Sequence, residues 1–173
     1  MADASAWMPV ATLVGGYGLK MFQDIVNERR SARHDREKRE WEWRRARSER
    51  RNEFQRQTLL DLQDVHMDMQ RAIGTVYLWD MGAFKRTGKW ERTLLPEKDS
   101  NAHRLTQVRL AMLCVRAQDE TLREMVGRVT RISNAMVFAR SGDECERLAN
   151  EAVDVGTKVN ERIGVLVREL DAD

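Results

Sequence analysis

Proline is nearly missing from this chain, with only Pro9 and Pro96 in 173 residues. No proline or glycine falls between Leu19 and Ile73, so nothing in that run interrupts a helix. Cysteine is scarce too. Cys114 and Cys145 form no CxxC pair, which excludes a disulfide framework and a thiolate zinc site. Each sits on an apolar helical face, where a reduced buried thiol is expected, and this favours a cytoplasmic domain. The three histidines, His34, His66 and His103, lie in separate segments without a second ligand at metal spacing. Asp61, Asp64 and Asp68 line up along one helix, but the Glu-x-x-His pattern of a di-metal bundle is missing. There is no phosphate-binding glycine loop and no nucleophile elbow. The expectation is a protein that is not an enzyme, with no catalytic residues, metal, cofactor or small-molecule substrate.

What remains is 42% hydrophobic and 34% charged, too apolar for a disordered chain and too charged for a polytopic membrane protein. The length suits one domain plus an appendage. Few aromatics and much Arg, Glu, Leu, Val and Ala point to an all-α chain.

The first 22 residues form an apolar segment. From Ala4 to Leu19 there is no charge, and these residues would span about 24 Å as a helix against a bilayer core of about 30 Å. Lys20 can snorkel, Met21 and Phe22 extend the apolar length, and Trp7 and Tyr17 sit near the ends where interfacial aromatics belong. No basic residue precedes the run, so a cleaved signal peptide fits poorly. Ala11 and Gly15, Thr12 and Gly16, and Val14 and Gly18 put small residues four apart, a spacing that lets helices approach closely. Trp7, Val10, Ala11, Leu13, Val14, Gly15, Gly16, Tyr17, Gly18 and Leu19 are therefore the candidate membrane or assembly segment. The positive-inside rule places the following arginines in the cytoplasm and the N-terminus outside, at the inner membrane. A cytoplasmic assembly that buries the segment between subunits is the alternative.

Residues 23–53 form a basic stalk. Arg29 to Arg51 carry eleven Lys or Arg against five Asp or Glu, on a chain whose net charge is only +2. Six i,i+4 pairs support a helix there: Arg33–Glu37, Asp35–Arg39, Arg36–Glu40, Lys38–Glu42, Glu40–Arg44 and Arg45–Glu49. A coiled-coil seam is weak, because the seven-residue step Ile25, Ala32, Arg39, Ala46 offers one charge and two alanines. Trp41 and Trp43 point to opposite sides of the helix. They meet a partner helix, lipid headgroups or bases, or they pack under neighbouring guanidinium groups. Arg29, Arg30, Arg33, Arg36, Arg39, Trp41, Trp43, Arg44, Arg45 and Arg47 are the candidate contact surface. Nucleic acid ranks behind an anionic membrane, because five acids are interleaved and no leucine heptad follows.

Residues 54–173 read as a bundle. Leu59, Leu62, Val65, Met69, Ile73 and Val76 share a helical face that continues to Met81, with Gly82 as the stop. A long loop over about 82–101 is pinned by Phe84, Trp90, Leu94 and Leu95, and Trp90 is a second candidate contact residue. A second helix is expected from Ala102 to Ala139, with Leu105, Val108, Met112, Val115, Leu122, Met125, Val129, Ile132 and Met136 inward and a polar break at Asp119. Ser141 and Glu144 match a capping box that opens a third helix, inward through Cys145, Leu148, Ala152, Val155, Val159, Ile163, Leu166 and Leu170. The expected fold is a long N-terminal helix, with an apolar tip and a charged stalk, leading into an antiparallel three-helix bundle.

The stretches FQRQTLLDLQD (Phe54–Asp64), LLPE (Leu94–Glu97) and NERIGVLVREL (Asn160–Leu170) resemble an uncharacterised family of small helical proteins from GC-rich bacterial genomes. That resemblance implies a membrane-anchored layout and carries no known activity. The functional expectation is a non-enzymatic, membrane-anchored interaction or scaffold protein with a protein partner or further copies of itself. The alternatives are a soluble component of a larger assembly and a basic-helix nucleic-acid binder.

Overall fold

The structure is a computed structural model that describes the backbone of residues 8–91 and 95–172. Side chains are described from Arg30 onward, Ala32 and the gap at 92–94 excepted. The described residues are all-helical, without a strand: α1 (Met8–Thr87), α2 (Glu97–Arg116), α3 (Glu120–Val137) and α4 (Gly142–Ala172). The chain divides into two units, 1–50 and 51–173, and α1 contributes to both.

In the second unit, one buried cluster joins all four helices, with α2 contributing Leu110 and, at its edge, Leu113 and Cys114. From α1 come Leu59, Leu62, Val65, Met69 and Ile73, from α3 Leu122, Val126, Val129, Ile132 and Met136, and from α4 Cys145, Leu148, Ala152, Val155, Val159 and Ile163. These residues recur every three or four positions, so each helix turns one apolar stripe inward. Burying a Leu, Ile or Val side chain is worth roughly 1.5–3 kcal/mol, which makes this cluster the main source of stability. α4 comes very close to α1 at Gly156. A Cβ built there would collide with the Gln70 side-chain amide, which donates to the Ala152 carbonyl at 3.3 Å. One turn along α1, His66 Nε2 lies 3.2 Å from the Gly156 carbonyl.

The ends of the helices have identifiable chemistry. α1 runs through Gly82, a residue that weakens a helix without ending it. It stops at Gly88, whose φ of 69° favours a residue without a Cβ and whose N–H bonds the Phe84 carbonyl at 2.8 Å. The connection to α2 is therefore shorter than the 82–101 loop expected. α4 opens on the expected cap, with Glu144 N–H donating to Ser141 Oγ at 3.1 Å, while the Glu144 carboxylate accepts from Arg140 N–H at 2.7 Å.

The helix expected over 102–139 is two helices, so the unit contains four helical segments where three were expected. Ala117 is extended, and Asp119 caps α3 by accepting from Leu122 N–H at 2.7 Å. Asp119 was the polar residue that broke the apolar seam, and it breaks the seam by ending one helix and starting the next. Three helices hold this corner. Gln55 of α1 donates to the Arg116 carbonyl at 3.1 Å and accepts from Gln118 N–H at 3.2 Å. Arg123 of α3 donates to the Ala117 carbonyl at 2.8 Å. Arg162 of α4 grips Asp119 with two bonds, of 2.6 and 3.3 Å.

Candidate interaction surface

The break at 117–119 changes the direction of the α2 face. Leu122, Val129, Ile132 and Met136 are buried as expected and Met125 is half-buried. Leu105, Val108, Met112 and Val115, expected in the core, are exposed instead, Val115 at 81% and the other three at 50–57%. The only fully buried apolar side chain of α2 is Leu110. A continuous 38-residue helix would have carried one face from Leu105 to Met136, but a turn of extended backbone lets α2 take its own phase.

The inner side of α2 is polar over its first half, at His103, Thr106 and Gln107, and apolar over its second, at Leu110, Leu113 and Cys114. His103 Nε2 is 2.9 Å from Ser133 Oγ and 3.3 Å from the Gln107 amide nitrogen, which donates to Asn134 Oδ1 at 2.8 Å. The Ser133 hydroxyl can donate or accept, so it suits either protonation state of Nε2. Burial holds the His103 pKa below the ordinary histidine value. Serine beside a neutral histidine is the geometry in which a hydroxyl loses its proton to a base. Here Ser133 is buried mid-helix at 2% exposure, so its oxygen has no access for a substrate. A cleft of about 290 Å³ opens beside His103, lined by Asp68, Arg71 and Thr75 of α1 and Asp99 and Thr106 of α2, and Asp68 there is paired with Arg71 at 2.9 Å.

Three further groups of the second unit, His66, Cys114 and Cys145, are shifted by burial. His66 is fully buried and its pKa is lowered by desolvation, against the opposing effect of the Gly156 carbonyl. Cys114 and Cys145 are free thiols. Burial pushes the Cys145 thiol up to about 11 and raises Cys114 as well. Among the described residues no cluster of His, Cys, Asp or Glu could hold a metal ion. Trp90, offered above as a contact residue, is used internally: its Nε1–H donates to the Ala139 carbonyl at 3.0 Å and its ring meets Phe84 edge-on at 5.8 Å.

In the first unit, Arg30, Arg33, Arg36, Arg39, Trp41, Trp43, Arg44, Arg45 and Arg47 are all exposed. The Arg45 guanidinium lies 5.4 Å from the Trp41 ring centre, and Arg47 lies at the same distance from Trp43. Each pair is four residues apart, so each tryptophan is partly covered by its own helix through a cation–π contact. Of the six expected i,i+4 ion pairs, Glu40–Arg44 and Arg45–Glu49 are in contact, at 3.6 and 2.9 Å. Both are open to solvent, where such pairs contribute little. The side chains of Arg29 and of Val10, Ala11, Leu13, Val14, Gly15, Gly16, Tyr17, Gly18 and Leu19 lie outside the described residues, as does Trp7 altogether. Among the described residues no helix is long and apolar enough to cross a membrane.

The α2 stripe is thus a row of four exposed apolar side chains on a helix whose other side is packed. Sequence reasoning placed these residues on one face correctly and aimed that face at the wrong side. The exposed arginines beside them, Arg104 and Arg109, were the available signal, since an inward face leaves less room for them. Compared with known proteins, the chain matches no family model, no curated protein and no solved structure.

Proposed function

We propose that this protein is a non-enzymatic helical interaction module, a scaffold that presents one face of its bundle to a partner protein while its N-terminal apolar segment attaches it elsewhere. The exposed stripe Leu105, Val108, Met112 and Val115 carries this reading. Aligned, exposed apolar residues on a folded helix mark interaction sites. In helix-in-groove recognition, anchors spaced by three and four residues are what the partner reads.

For the N-terminal attachment the reading is an inner-membrane anchor followed by a basic juxtamembrane helix, with the bundle in the cytoplasm. Its support is the uncharged run from Ala4 to Leu19, about ten positions before the arginines that begin at Arg29, which would favour acidic lipid. A second reading is a soluble assembly that buries the apolar segment between subunits, supported by the small residues four apart, Ala11 and Gly15, Thr12 and Gly16, and Val14 and Gly18, which let helices approach closely.

Fractionation of the full-length protein, followed by carbonate and then detergent extraction, separates the two. Membrane anchoring predicts that carbonate leaves the protein in the pellet and detergent releases it. Free solubility in a particle several times the chain mass of 20.2 kDa supports the assembly. A soluble monomer contradicts both.

A further inference from the structure

The rim of the α2 stripe carries charge of one sign. If Leu105 and Met112 take position a of a heptad, Val108 and Val115 take position d, and Arg104, Arg109 and Arg116 fall at the flanking g and e positions. All three arginines are exposed, and among the described residues their guanidinium groups make no ion pair or hydrogen bond. From Ser100 to Arg116 the helix contains no acidic residue.

This rim selects among the possible occupants. A second copy pairing through the same stripe would set arginine against arginine whether the helices ran parallel or antiparallel, a like-charge arrangement that disfavours pairing. The apolar segment of this chain, Ala4 to Leu19, brings no acid to meet the arginines. A lipid surface would meet the charge, but surface-binding helices present a broad apolar face with large aromatic or aliphatic residues. The stripe here is a seam one residue wide at each step, with half-buried Thr106 and Gln107 on the side turned toward the bundle.

We propose that the outer face of α2 is a docking site for an amphipathic helix of another protein. That helix would seat apolar residues spaced by three and four against Leu105, Val108, Met112 and Val115, and set Asp or Glu against Arg104, Arg109 and Arg116. This rests on the reading of the bundle as an interaction module and names the chemistry of its partner. The stripe covers about three helical turns, so a partner helix of about 14 residues is long enough to cover it. An interface of this size is small, and binding on the order of micromolar, with fast exchange, is expected.

The test uses the full-length protein and two fluorescein-labelled 21-residue peptides. Both carry Leu at a and d, and they differ in having Glu or Lys at e and g. Anisotropy titrations should show the Glu peptide binding about tenfold or more tighter than the Lys peptide, with the difference shrinking as salt is raised. Met112→Asp should weaken the Glu peptide by about thirtyfold or more with unchanged helical circular dichroism. The triple variant Arg104→Glu, Arg109→Glu, Arg116→Glu alters only the exposed rim, and it should reverse the preference between peptides. Failure of the Glu peptide to bind, or equal binding of both peptides, overturns the proposal. So does a dimer that Met112→Asp dissociates, or retention on phosphatidylserine vesicles that the same variant abolishes without any peptide binding. In the dimer case the interaction reading survives and the acidic partner falls. If Met112→Asp changes neither peptide binding, mass nor vesicle retention, the interaction reading falls with it.

Discussion

α4 and α2 are both amphipathic, and they turn their apolar faces in opposite directions. α4 buries Cys145, Leu148, Ala152, Val155, Val159 and Ile163. α2 buries Leu110 and leaves Leu105, Val108, Met112 and Val115 in solvent. Both stripes have the same spacing, so spacing identifies a face without saying what that face meets. The difference lies in the neighbours. α4 lies against apolar stripes of α1 and α3 along its length, while α2 touches the core through Leu110, Leu113 and Cys114 and meets Ser133 and Asn134 on α3 through His103 and Gln107. Rotating α2 by half a turn would bury its stripe, but it would strip Ser133 of its partner and swing exposed arginines inward. A buried polar group left unpaired costs about 1–3 kcal/mol, which opposes part of the apolar gain.

The largest contrast should come from truncating each stripe. Ile163→Ala removes a fully buried side chain and should cost about 2–5 kcal/mol in denaturant unfolding. Val115→Ala, on a side chain 81% exposed, should stay within about 0.5 kcal/mol of wild type. Similar losses for the two would erase the distinction between the helices.

The corner that sets the phase of α2 is the next place to act. Asp119→Ala removes the α3 cap and leaves Arg162 without its carboxylate, and a loss of about 1–3 kcal/mol is expected. Its pH dependence has a definite sign. The Arg162 hydrogen bond holds the Asp119 pKa below the ordinary value, so its contribution is present above about pH 4 and is lost as pH falls through the folded-state value. Acid titration of stability in wild type and Asp119→Asn measures this, and the variant should show a shallower loss.

The histidines sharpen the comparison more gently. His66 sits between α1 and α4, His103 between α2 and α3, and burial lowers both pKa values. Below about pH 6.5 the unfolded chain takes up protons that the folded protein excludes. Stability is therefore fully present above that value and falls as pH drops toward the folded-state pKa values. Unfolding midpoints at pH 7.5 and pH 5.5 should differ in that direction, and His66→Gln should reduce the difference. The smallest effect belongs to the first unit, where Trp41→Ala and Trp43→Ala should leave the unfolding of the bundle unchanged within about 0.5 kcal/mol.

Much of the fold was legible in the sequence. The stripes Leu59 to Val76 and Cys145 to Ile163 needed only the 3.6-residue period, and Ser141 with Glu144 marked the start of α4. Gly82 misled because a glycine in a helix is a weakness rather than a stop, whereas Gly88 ends α1 by taking a positive φ. Asp119 drew notice as a polar interruption, but only the corner bonds of Gln55, Arg123 and Arg162 show it to be a helix end. Those bonds join residues 43 to 63 positions apart in two of the three cases, a separation that local patterns do not carry. The candidate surface was legible as a set of residues and illegible as a direction, because His103, Gln107, Ser133 and Asn134 each look unremarkable until they meet.

The most direct test of the outward face is equilibrium unfolding of Met112→Asp beside Val129→Asp, at protein concentrations low enough to exclude association. The first places a charge on the α2 stripe and the second in the buried cluster. The account predicts that Met112→Asp unfolds within about 1 kcal/mol of wild type while Val129→Asp loses several kcal/mol or fails to fold. A loss for Met112→Asp as large as that for Val129→Asp would place the stripe in the core and remove the surface on which the proposed function rests.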